Sequence, residues 1–513
     1  MIKKFFREQA LYKVIMDIVF IVIALSGIAV SIYMNVVGRS LWYDEAALAY
    51  SFVRRSFSEL TATGLDLVQS APVGWLYAVK ILCKIFGYSD FVMRVPSILA
   101  YIGCLVLVYY VAKKILKLYY AFAPVAFAAS LPLLLQYSNM FKPYISDAFL
   151  ALLAVVLFYL YKERKLNVYL LGVIWGVMIW FSSPVCFVEG GIIIASFIVS
   201  LMSKDKIKIK QDIINLLKIG VIIVVFFAVY YFYWLRKVDG DMHAFWGEAQ
   251  FKLLPLSLDD LRDNKYMMSL LLEPFYSHKI YIAILCLIGF ILSIIKKNEY
   301  VLSTYTIFIF TAIVSTIGMY PVNKRLWLFI YPLLILSCFY VLDFLLDKAD
   351  LANSRSIRNI LVGVVLVCMC ITNSGIRYYM HKEYIYWPRY EVKGEMEYMD
   401  SVIEKDDGVY VLLCARPAFL FYNNYNTDTL EATGNSVLVG EHLFCPDLAG
   451  YEPDHTDEFN YILSHDKCYI VTSDTWDDDY MYTYLFERLL EEGTIEMVYD
   501  KYATPLFLFT KNK

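Results

Sequence analysis

Residues 14–36 read VIMDIVFIVIALSGIAVSIYMNV, an apolar run that carries a single acidic residue, Asp17. A helix needs about 20 largely apolar residues to cross a hydrocarbon core of about 30 Å. The run is too long for a signal peptide, and Asn35-Val36-Val37 offers no small-residue cleavage pattern. Residues 14–36 therefore predict a membrane-spanning helix that is not removed.

The composition agrees with a protein that is largely embedded in a membrane. Hydrophobic residues make up 59% of the 513 residues, charged residues make up 19%, and the mean hydropathy is +0.54. Soluble domains are about 45–50% apolar and about 25% charged. The net charge of -3 indicates neither nucleic-acid binding nor an acidic partner. Further apolar runs of suitable length lie at 91–112, 119–136, 145–161, 167–182, 184–202, 213–235, 279–295, 300–318, 326–346 and 357–375.

These runs predict a polytopic α-helical membrane protein with about 11 transmembrane helices. Lys and Arg collect at the N-terminus and in every second loop after it, whereas the short loops between hold only Lys142, Lys324 and Arg325. Cytoplasmic loops carry the excess of basic residues. We therefore expect a multi-pass protein of the inner or plasma membrane, with a cytoplasmic N-terminus and a chain outside the cytoplasm from about residue 377.

The pattern predicts two domains, a transmembrane domain over 1–376 and a small extracytoplasmic α/β domain over 377–513. Long external loops are expected at 37–90 and 237–278, and Lys80 and Lys84 in the segment 72–87 suit a helix lying in the membrane interface. The α/β domain is expected to have helices near 391–404 and 479–492 and strands near 409–413, 468–471, 495–499 and 506–509.

Two acidic sites stand at predicted outer helix ends. Asp44 and Glu45 follow the first span directly, and Asp147 begins the fourth span just after Pro143. One interpretation is structural. Asp44 would cap the N-terminus of a helix, Glu45 would complement the helix dipole, and Asp147 would be a helix-start residue. The other interpretation is catalytic, because acids at membrane depth are costly and carboxylates from two helix ends can converge.

Cations at the outer helix ends are unusual under the same charge rule. Arg94, Lys142 and Arg325 lie there, either reaching up to lipid headgroups or binding a phosphate at the membrane surface. Glu189 within the sixth span is a weaker candidate that needs a partner, and His243 in the second long loop is a further one.

An ordered set of short motifs resembles the GT-C membrane glycosyltransferases, and more narrowly the branch that contains protein O-mannosyltransferases and the lipid A aminoarabinose transferase. The resemblance covers roughly residues 10–340, and the tail is typical of bacterial members. The motifs are Tyr43-Asp44-Glu45-Ala46, Pro72 with Tyr77, Phe86-Gly87 with Arg94-Val95-Pro96-Ser97, Lys142-Pro143-Tyr144 with Asp147, and Tyr320-Pro321 with Arg325.

The resemblance implies an inverting enzyme that moves a sugar from a polyprenyl phosphate to a hydroxyl of a glycan, lipid or protein acceptor on the outer face. By it Asp44 is the general base and Glu45 its positioning neighbour. Asp147 is the second acid. Independently, a phosphate leaving group calls for fixed cations rather than a general acid.

The remaining site assignments also come from the resemblance. The donor phosphate is assigned to Lys142, Arg325, Arg94 and Tyr144. A divalent metal ion held by Asp44 and Asp147 is an open possibility, although relatives often carry a polar residue just before the Pro of the first loop and this chain has Gln69-Ser70-Ala71 before Pro72. No other cofactor is implied.

Three other functions remain open at this stage. A polysaccharide polymerase or ligase would share lipid-linked substrates but would depend on arginines in a large late external loop. A secondary transporter would predict paired acids or broken helices near mid-membrane. A non-catalytic scaffold would use the tail as a binding module.

Overall fold

The computed structural model describes residues 2–67, 69–237, 249–348, 355–372, 391–425, 435–440, 455–473, 481–501 and 504–512. The chain forms two compact units. The membrane unit comprises Met1–Val36 and Ser70–Met380, and the C-terminal unit comprises Val37–Gln69 and His381–Lys513. The first predicted external loop is thus divided between the two units.

Helices dominate the chain as far as residue 372. They are α1 (Ile2–Val36), α2 (Tyr43–Arg54), α3 (Glu59–Ala62), α4 (Val73–Phe86), α5 (Asp90–Tyr110), α6 (Ala123–Ser130), α7 (Pro132–Ser138), α8 (Tyr144–Lys162), α9 (Val168–Met178), α10 (Val185–Leu201), α11 (Lys206–Tyr233), α12 (Leu258–Leu272), α13 (Lys279–Ile295), α14 (Glu299–Thr316), α15 (Tyr331–Lys348) and α16 (Arg355–Thr372).

Each of the eleven predicted apolar runs contains helix, and residues 373–375 of the last run lie outside the described residues. The run 119–136 is divided into α6 and α7 at Leu131, which is extended, because Pro132 at the start of α7 has no N–H to continue the helix. By length and composition, six helical stretches of the described chain could cross a membrane, and three shorter apolar helices and one bent pair accompany them. The multi-pass architecture is confirmed, and the count of about 11 spans stays a prediction.

The predicted interfacial segment is helix α4, which begins after Pro72. Its exposed side includes Ile81, Ile85 and Phe86, as suits contact with lipid. The two lysines differ, however: Lys84 is exposed, whereas Lys80 is buried and its ammonium lies 5.6 Å from the ring centre of Tyr88. The expectation that both lysines face the interface is therefore wrong for Lys80, because the helix packs this side against the protein.

A close contact joins helices α10 and α14. Gly191 has no side chain, and a Cβ placed there would lie 2.5 Å from the Cα of Ile307. The Thr306 hydroxyl donates a hydrogen bond of 2.6 Å to the Gly191 carbonyl. Small residues allow membrane helices to approach in this way.

The C-terminal unit contains a mixed five-stranded sheet in the order β2-β1-β3-β5-β4. Strands β2, β1 and β3 are parallel, with Val409 opposite both Val437 and Tyr469, whereas β5 is antiparallel to β3 and β4. The elements are α17 (Val392–Val402), β1 (Gly408–Val411), α18 (Arg416–Tyr425), β2 (Ser436–Val439), α19 (Thr456–Leu463), β3 (Lys467–Val471), α20 (Glu487–Leu490), β4 (Gly493–Lys501) and β5 (Thr504–Lys511).

The small α/β fold expected for the tail is confirmed. The strands predicted near 409–413, 468–471, 495–499 and 506–509 correspond to β1, β3, β4 and β5, and the helix predicted near 391–404 corresponds to α17. Side chains of α19 and β3, among them Phe459, Ile462 and Ile470, form one hydrophobic core with Phe509 of β5. Helix α17 also packs against β3, β4 and β5.

Helix α17 contributes a buried acid to the packing of this unit. Glu395 has no exposed surface, and among the described residues neither of its carboxylate oxygens has a hydrogen-bond partner within bonding geometry. Burial raises the pKa of Glu395 well above its ordinary value of 4.5, and the nearby Thr472 N–H only partly opposes this rise. Folded protein therefore holds a proton that the unfolded chain releases above about pH 4.5.

We expect Gly191→Ala to lower the free energy of unfolding of the membrane unit by about 1–3 kcal/mol, because the new methyl group overlaps α14. Thermal unfolding in detergent measures the change. The matched control is Gly220→Ala in α11, where no atom lies within 4 Å of the new Cβ. Equal melting temperatures for the two variants would contradict the close contact.

We expect the stability of the C-terminal unit to fall as the pH rises above about 4.5, because the unfolded Glu395 ionises first and the folded one does not. Glu395→Gln stays neutral and should remove this part of the pH dependence. Labelling of the buried Cys468 thiol in urea, compared between variant and wild type at the same pH, reports unfolding of the sheet. A variant advantage of the same size at pH 5 and pH 8 would count against this explanation.

Candidate active site

The predicted site residues divide between the two units. Asp44 and Glu45 belong to the C-terminal unit, in the segment 37–69. The membrane unit contains Arg94, Lys142, Tyr144, Asp147 and Arg325.

Asp44 lies in the first turn of α2 and is half-buried. The helix begins at Tyr43, so that Trp42 occupies the N-cap position, and the Trp42 N–H donates to Glu45 Oε2 at 3.1 Å. The N-cap interpretation of Asp44 is therefore wrong, and the carboxylate that satisfies the helix start is that of Glu45.

Glu45 is bound in a buried ion pair. Its Oε2 lies 3.1 Å from Arg39 Nη1, and the two side chains are 0% and 2% exposed. Such a pair persists because each charge would be costly to bury alone. This arrangement supports a positioning role for Glu45. Sequence reasoning missed Arg39, although a cation five residues before Asp44 was a visible signal.

The neighbours of Asp44 include a tyrosine that keeps its proton. Burial raises the pKa of Tyr43 above its ordinary value of 10, and the Asp44 and Cys414 side chains add to the rise. The Arg416 guanidinium opposes it. The start of α2 therefore presents a half-buried carboxylate beside a phenol that remains a hydrogen-bond donor at neutral pH.

A cavity of about 280 Å³ lies in the membrane unit where several helices begin or end. It lies at the beginnings of α8 and α10 and at the ends of α11 and α14, and these are the helix ends that the loop charges predicted to share one face. Its lining is mainly apolar and aromatic. The lining residues are Ser70, Ala71, Pro72, Pro143, Tyr144, Asp147, Ser183, Pro184, Cys186, Phe187, Phe227, Tyr231, Leu235, Gln250, Val314, Gly318, Met319, Tyr320, Pro321 and Leu326.

Two of the predicted residues line this cavity directly. Tyr144 and Asp147 stand in the first turn of α8. Asp147 is 4% exposed, and its Oδ1 has no hydrogen-bond partner among the described residues. A buried carboxylate oxygen at the wall of a cavity is available to a ligand hydroxyl or ammonium group.

Hydrogen bonds from Ser97 join helix α5, which contains Arg94, to the segment just before α8, which contains Lys142. Ser97, one turn after Arg94 in α5, donates to the carbonyls of Met140 at 2.6 Å and Lys142 at 3.4 Å. Arg94 is 0% and Lys142 is 3% exposed. Lys142 immediately precedes the lining residues Pro143 and Tyr144, whereas Arg94 is adjacent in sequence to no lining residue.

Arg325 belongs to a closed turn on another side of the cavity. The Tyr320 hydroxyl donates to the Leu326 carbonyl at 2.8 Å, and Trp327 Nε1 donates to the Pro321 carbonyl at 3.0 Å. Both hydrogen bonds fix the path of the chain around Arg325, and Tyr320, Pro321 and Leu326 line the cavity.

The weaker candidates have different outcomes. Glu189 is 0% exposed in α10, and neither carboxylate oxygen has a hydrogen-bond partner in the described chain. His243 lies outside the described residues. Sequence reasoning missed that Phe187, Phe227 and Tyr231 line the cavity. The sequence shows only that these are aromatic residues near predicted helix ends.

A metal site has no further support from the donor set. Within the described ranges, no group of three or more His, Cys, Asp and Glu side chains is arranged to hold a metal ion. Asp44 and Asp147, the predicted metal ligands, belong to different units. The metal stays a prediction.

Comparison with known proteins gives a partial sequence match. Residues 70–234 match the model of the family described as dolichyl-phosphate-mannose-protein mannosyltransferase. The matched range includes Arg94, Lys142, Tyr144 and Asp147 but not Asp44. No curated protein matches the sequence.

The similarity in fold extends over nearly the whole chain. ArnT from Cupriavidus metallidurans in the apo state is 11% identical, with a TM-score of 0.54 and coverage of 96% of this chain and 97% of that one. The undecaprenyl-phosphate-bound form of ArnT gives a TM-score of 0.53 at the same identity and coverage. The archaeal oligosaccharyltransferase AglB from Archaeoglobus fulgidus, in complex with an inhibitory peptide and a dolichol-phosphate, is 12% identical, with a TM-score of 0.51 and coverage of 96% and 74%. The predicted resemblance is confirmed: residues 70–234 match the mannosyltransferase family, and the multi-pass chain has the fold of ArnT and AglB.

Proposed function

We propose that this protein transfers a sugar from a polyprenyl phosphate to an acceptor hydroxyl on the outer face of the membrane, with inversion at the anomeric carbon. The observation that carries the proposal is the cavity at the ends of α8, α10, α11 and α14. Tyr144 and Asp147 line it, and Lys142 and Arg325 directly precede lining residues in the sequence. Structural neighbours of the same fold hold undecaprenyl phosphate or dolichol-phosphate.

The donor phosphate is assigned to the membrane unit. The bond between the anomeric carbon and the phosphate oxygen breaks, and the electron pair stays on the polyprenyl phosphate. Fixed cations stabilise this growing negative charge more directly than a proton donor would, since phosphate is already a good leaving group. Lys142 and Arg325 adjoin lining residues of the cavity and take this role, with Tyr144 as a hydroxyl donor. Arg94 is assigned a supporting part, because Ser97 of the same helix binds the Lys142 carbonyl.

The acceptor proton is assigned to Asp44. The acceptor oxygen forms the new bond to the anomeric carbon from the opposite face, and its proton passes to the carboxylate. A carboxylate of ordinary basicity removes such a proton late, once the attacking oxygen has become acidic. Glu45 cannot take this role while it is paired with Arg39 and the Trp42 N–H, which leaves Asp44 as the base of the two.

The alternatives gain no comparable support. The described part of the second long loop has Lys252 paired with Asp260 and Asp263, and Arg262 paired with Asp259. Lys252 and Arg262 are therefore both bound to acids, whereas a polymerase or ligase would depend on arginines in a late external loop. The GT-C fold likewise provides no observation that favours a secondary transporter or a non-catalytic scaffold.

We expect Asp44→Asn to lower the transfer rate by about 10²–10⁴-fold, because the amide cannot accept the acceptor proton. Glycan and lipid products of cells lacking the wild-type protein, complemented with each variant, are measured by mass spectrometry. Glu59→Gln is the matched control, since Glu59 is an exposed acid of the same segment that binds the Ser56 N–H. Unchanged products with Asp44→Asn would overturn the assignment of the base.

We expect Lys142→Gln to weaken binding of a polyprenyl monophosphate by about 10-fold or more, as the loss of a charge-assisted hydrogen bond predicts. Binding is measured by native mass spectrometry of the protein in detergent with undecaprenyl phosphate. Lys84→Gln in α4 is the control, because Lys84 is an exposed lysine of the same unit. Asp44→Asn should bind the lipid as the wild type does. Equal affinities of the two lysine variants would exclude Lys142 from the phosphate site.

A further inference from the structure

The chain between the first span and α2 is hydrogen-bonded to distant residues of the C-terminal unit. The Leu41 N–H donates to the Tyr422 hydroxyl at 2.7 Å, and the Ser40 N–H donates to Glu391 Oε2 at 3.3 Å. In return the Lys393 N–H donates to Ser40 Oγ at 3.1 Å. We name residues 39–42 the α2 lead-in.

Every residue of the α2 lead-in makes a hydrogen bond or ion pair, and all but the half-buried Trp42 are buried. Ser40 and Leu41 are 0% exposed, Glu391 is 6% exposed, and Tyr422 is 7% exposed. At the same time the Arg39 side chain and the Trp42 N–H both bind Glu45. A buried backbone N–H without a partner costs free energy, so these contacts select one backbone path.

Helix α2 is also held along its length by the same part of the unit. It packs against α18, the helix that carries Tyr422. Asp44 is therefore part of a helix whose start is fixed by hydrogen bonds and whose body is fixed by packing. Rigid mounting of this kind is what an accurately placed catalytic group requires.

We propose that Tyr422 and Glu391 are positioning residues that hold the α2 lead-in so that Asp44 is presented for catalysis. The inference rests on the proposed function, in which Asp44 is the base. A general base acts only within hydrogen-bond reach of the proton that it removes. A displacement of about 1 Å can cost about 10²-fold in rate.

The main test compares two variants, each of which lacks one tyrosine hydroxyl. Tyr422→Phe removes the partner of the Leu41 N–H. Tyr461→Phe removes a hydroxyl that donates to the Ser436 carbonyl at 2.6 Å, elsewhere in the same unit and away from the α2 lead-in. We expect kcat of sugar transfer to fall by about 10–100-fold in Tyr422→Phe, with the KM for the donor lipid within about twofold of wild type. Tyr461→Phe should retain wild-type kcat.

Glu391 offers a rescue experiment. Glu391→Gln keeps an oxygen that accepts from the Ser40 N–H, although it gives up the charge that pairs with Lys501 at 3.3 Å. Glu391→Ala removes the acceptor altogether. We expect kcat to fall in the alanine variant and to be largely restored in the glutamine variant. Equal kcat values in both variants would overturn the role of Glu391.

Hydrogen exchange separates this inference from the proposed function. In the full-length protein, amides of residues 40–44 should exchange faster in Tyr422→Phe than in Tyr461→Phe. If wild-type protein transfers no sugar but this difference is seen, the proposed function fails and the mounting of the segment stands. Equal exchange in the two variants, or an equal kcat, would overturn the positioning role of Tyr422.

Discussion

The cost of taking a charged or hydrogen-bonding group out of water determines where the membrane unit places its chemistry. Long apolar helices satisfy their own backbone and leave unbonded groups only at their ends. The cavity lies where four such ends meet, and Tyr144 and Asp147 stand in the first turn of one of them. The site that we propose for a lipid-borne phosphate is thereby built at helix ends. Glu189, by contrast, is buried farther along α10.

The same cost fixes the backbone before Asp44 in the C-terminal unit. Arg39 and Glu45 are buried together, and the Trp42 N–H completes the contacts of the carboxylate. Tyr422 and Glu391 then satisfy the two backbone N–H groups between them. The carboxylate next to Asp44 is therefore bound within the structure by an ion pair and a backbone hydrogen bond. In the function proposed above, two adjacent acids thus take different roles because of their surroundings, as happens in other active sites.

The sequence predicted what depends on local pattern. Long apolar runs indicated the helices, short strand-like runs indicated β1, β3, β4 and β5, and the loop charges grouped the helix ends that meet at the cavity. Prediction from the sequence failed where a contact between distant residues determines the position of a side chain. Lys80 was expected at the membrane interface but is buried, and Asp44 was considered as a cap that Glu45 provides instead. The bond between Leu41 and Tyr422 joins residues 381 positions apart, and no spacing rule could have indicated it.

The residues assigned to the two halves of the proposed reaction lie in different units. Lys142 and Tyr144 fall within 70–234, the range that matches the mannosyltransferase family, whereas Asp44 falls within 37–69 and folds with the C-terminal residues. A phosphate leaving group makes the same demand whichever sugar it carries, so the groups that stabilise it are constrained by the lipid donor alone. The base has to fit the acceptor hydroxyl, which differs between glycans, lipids and proteins. A base that belongs to the C-terminal unit can change its surroundings with the acceptor, because substitutions on the surface of that unit need not alter the packing of membrane helices.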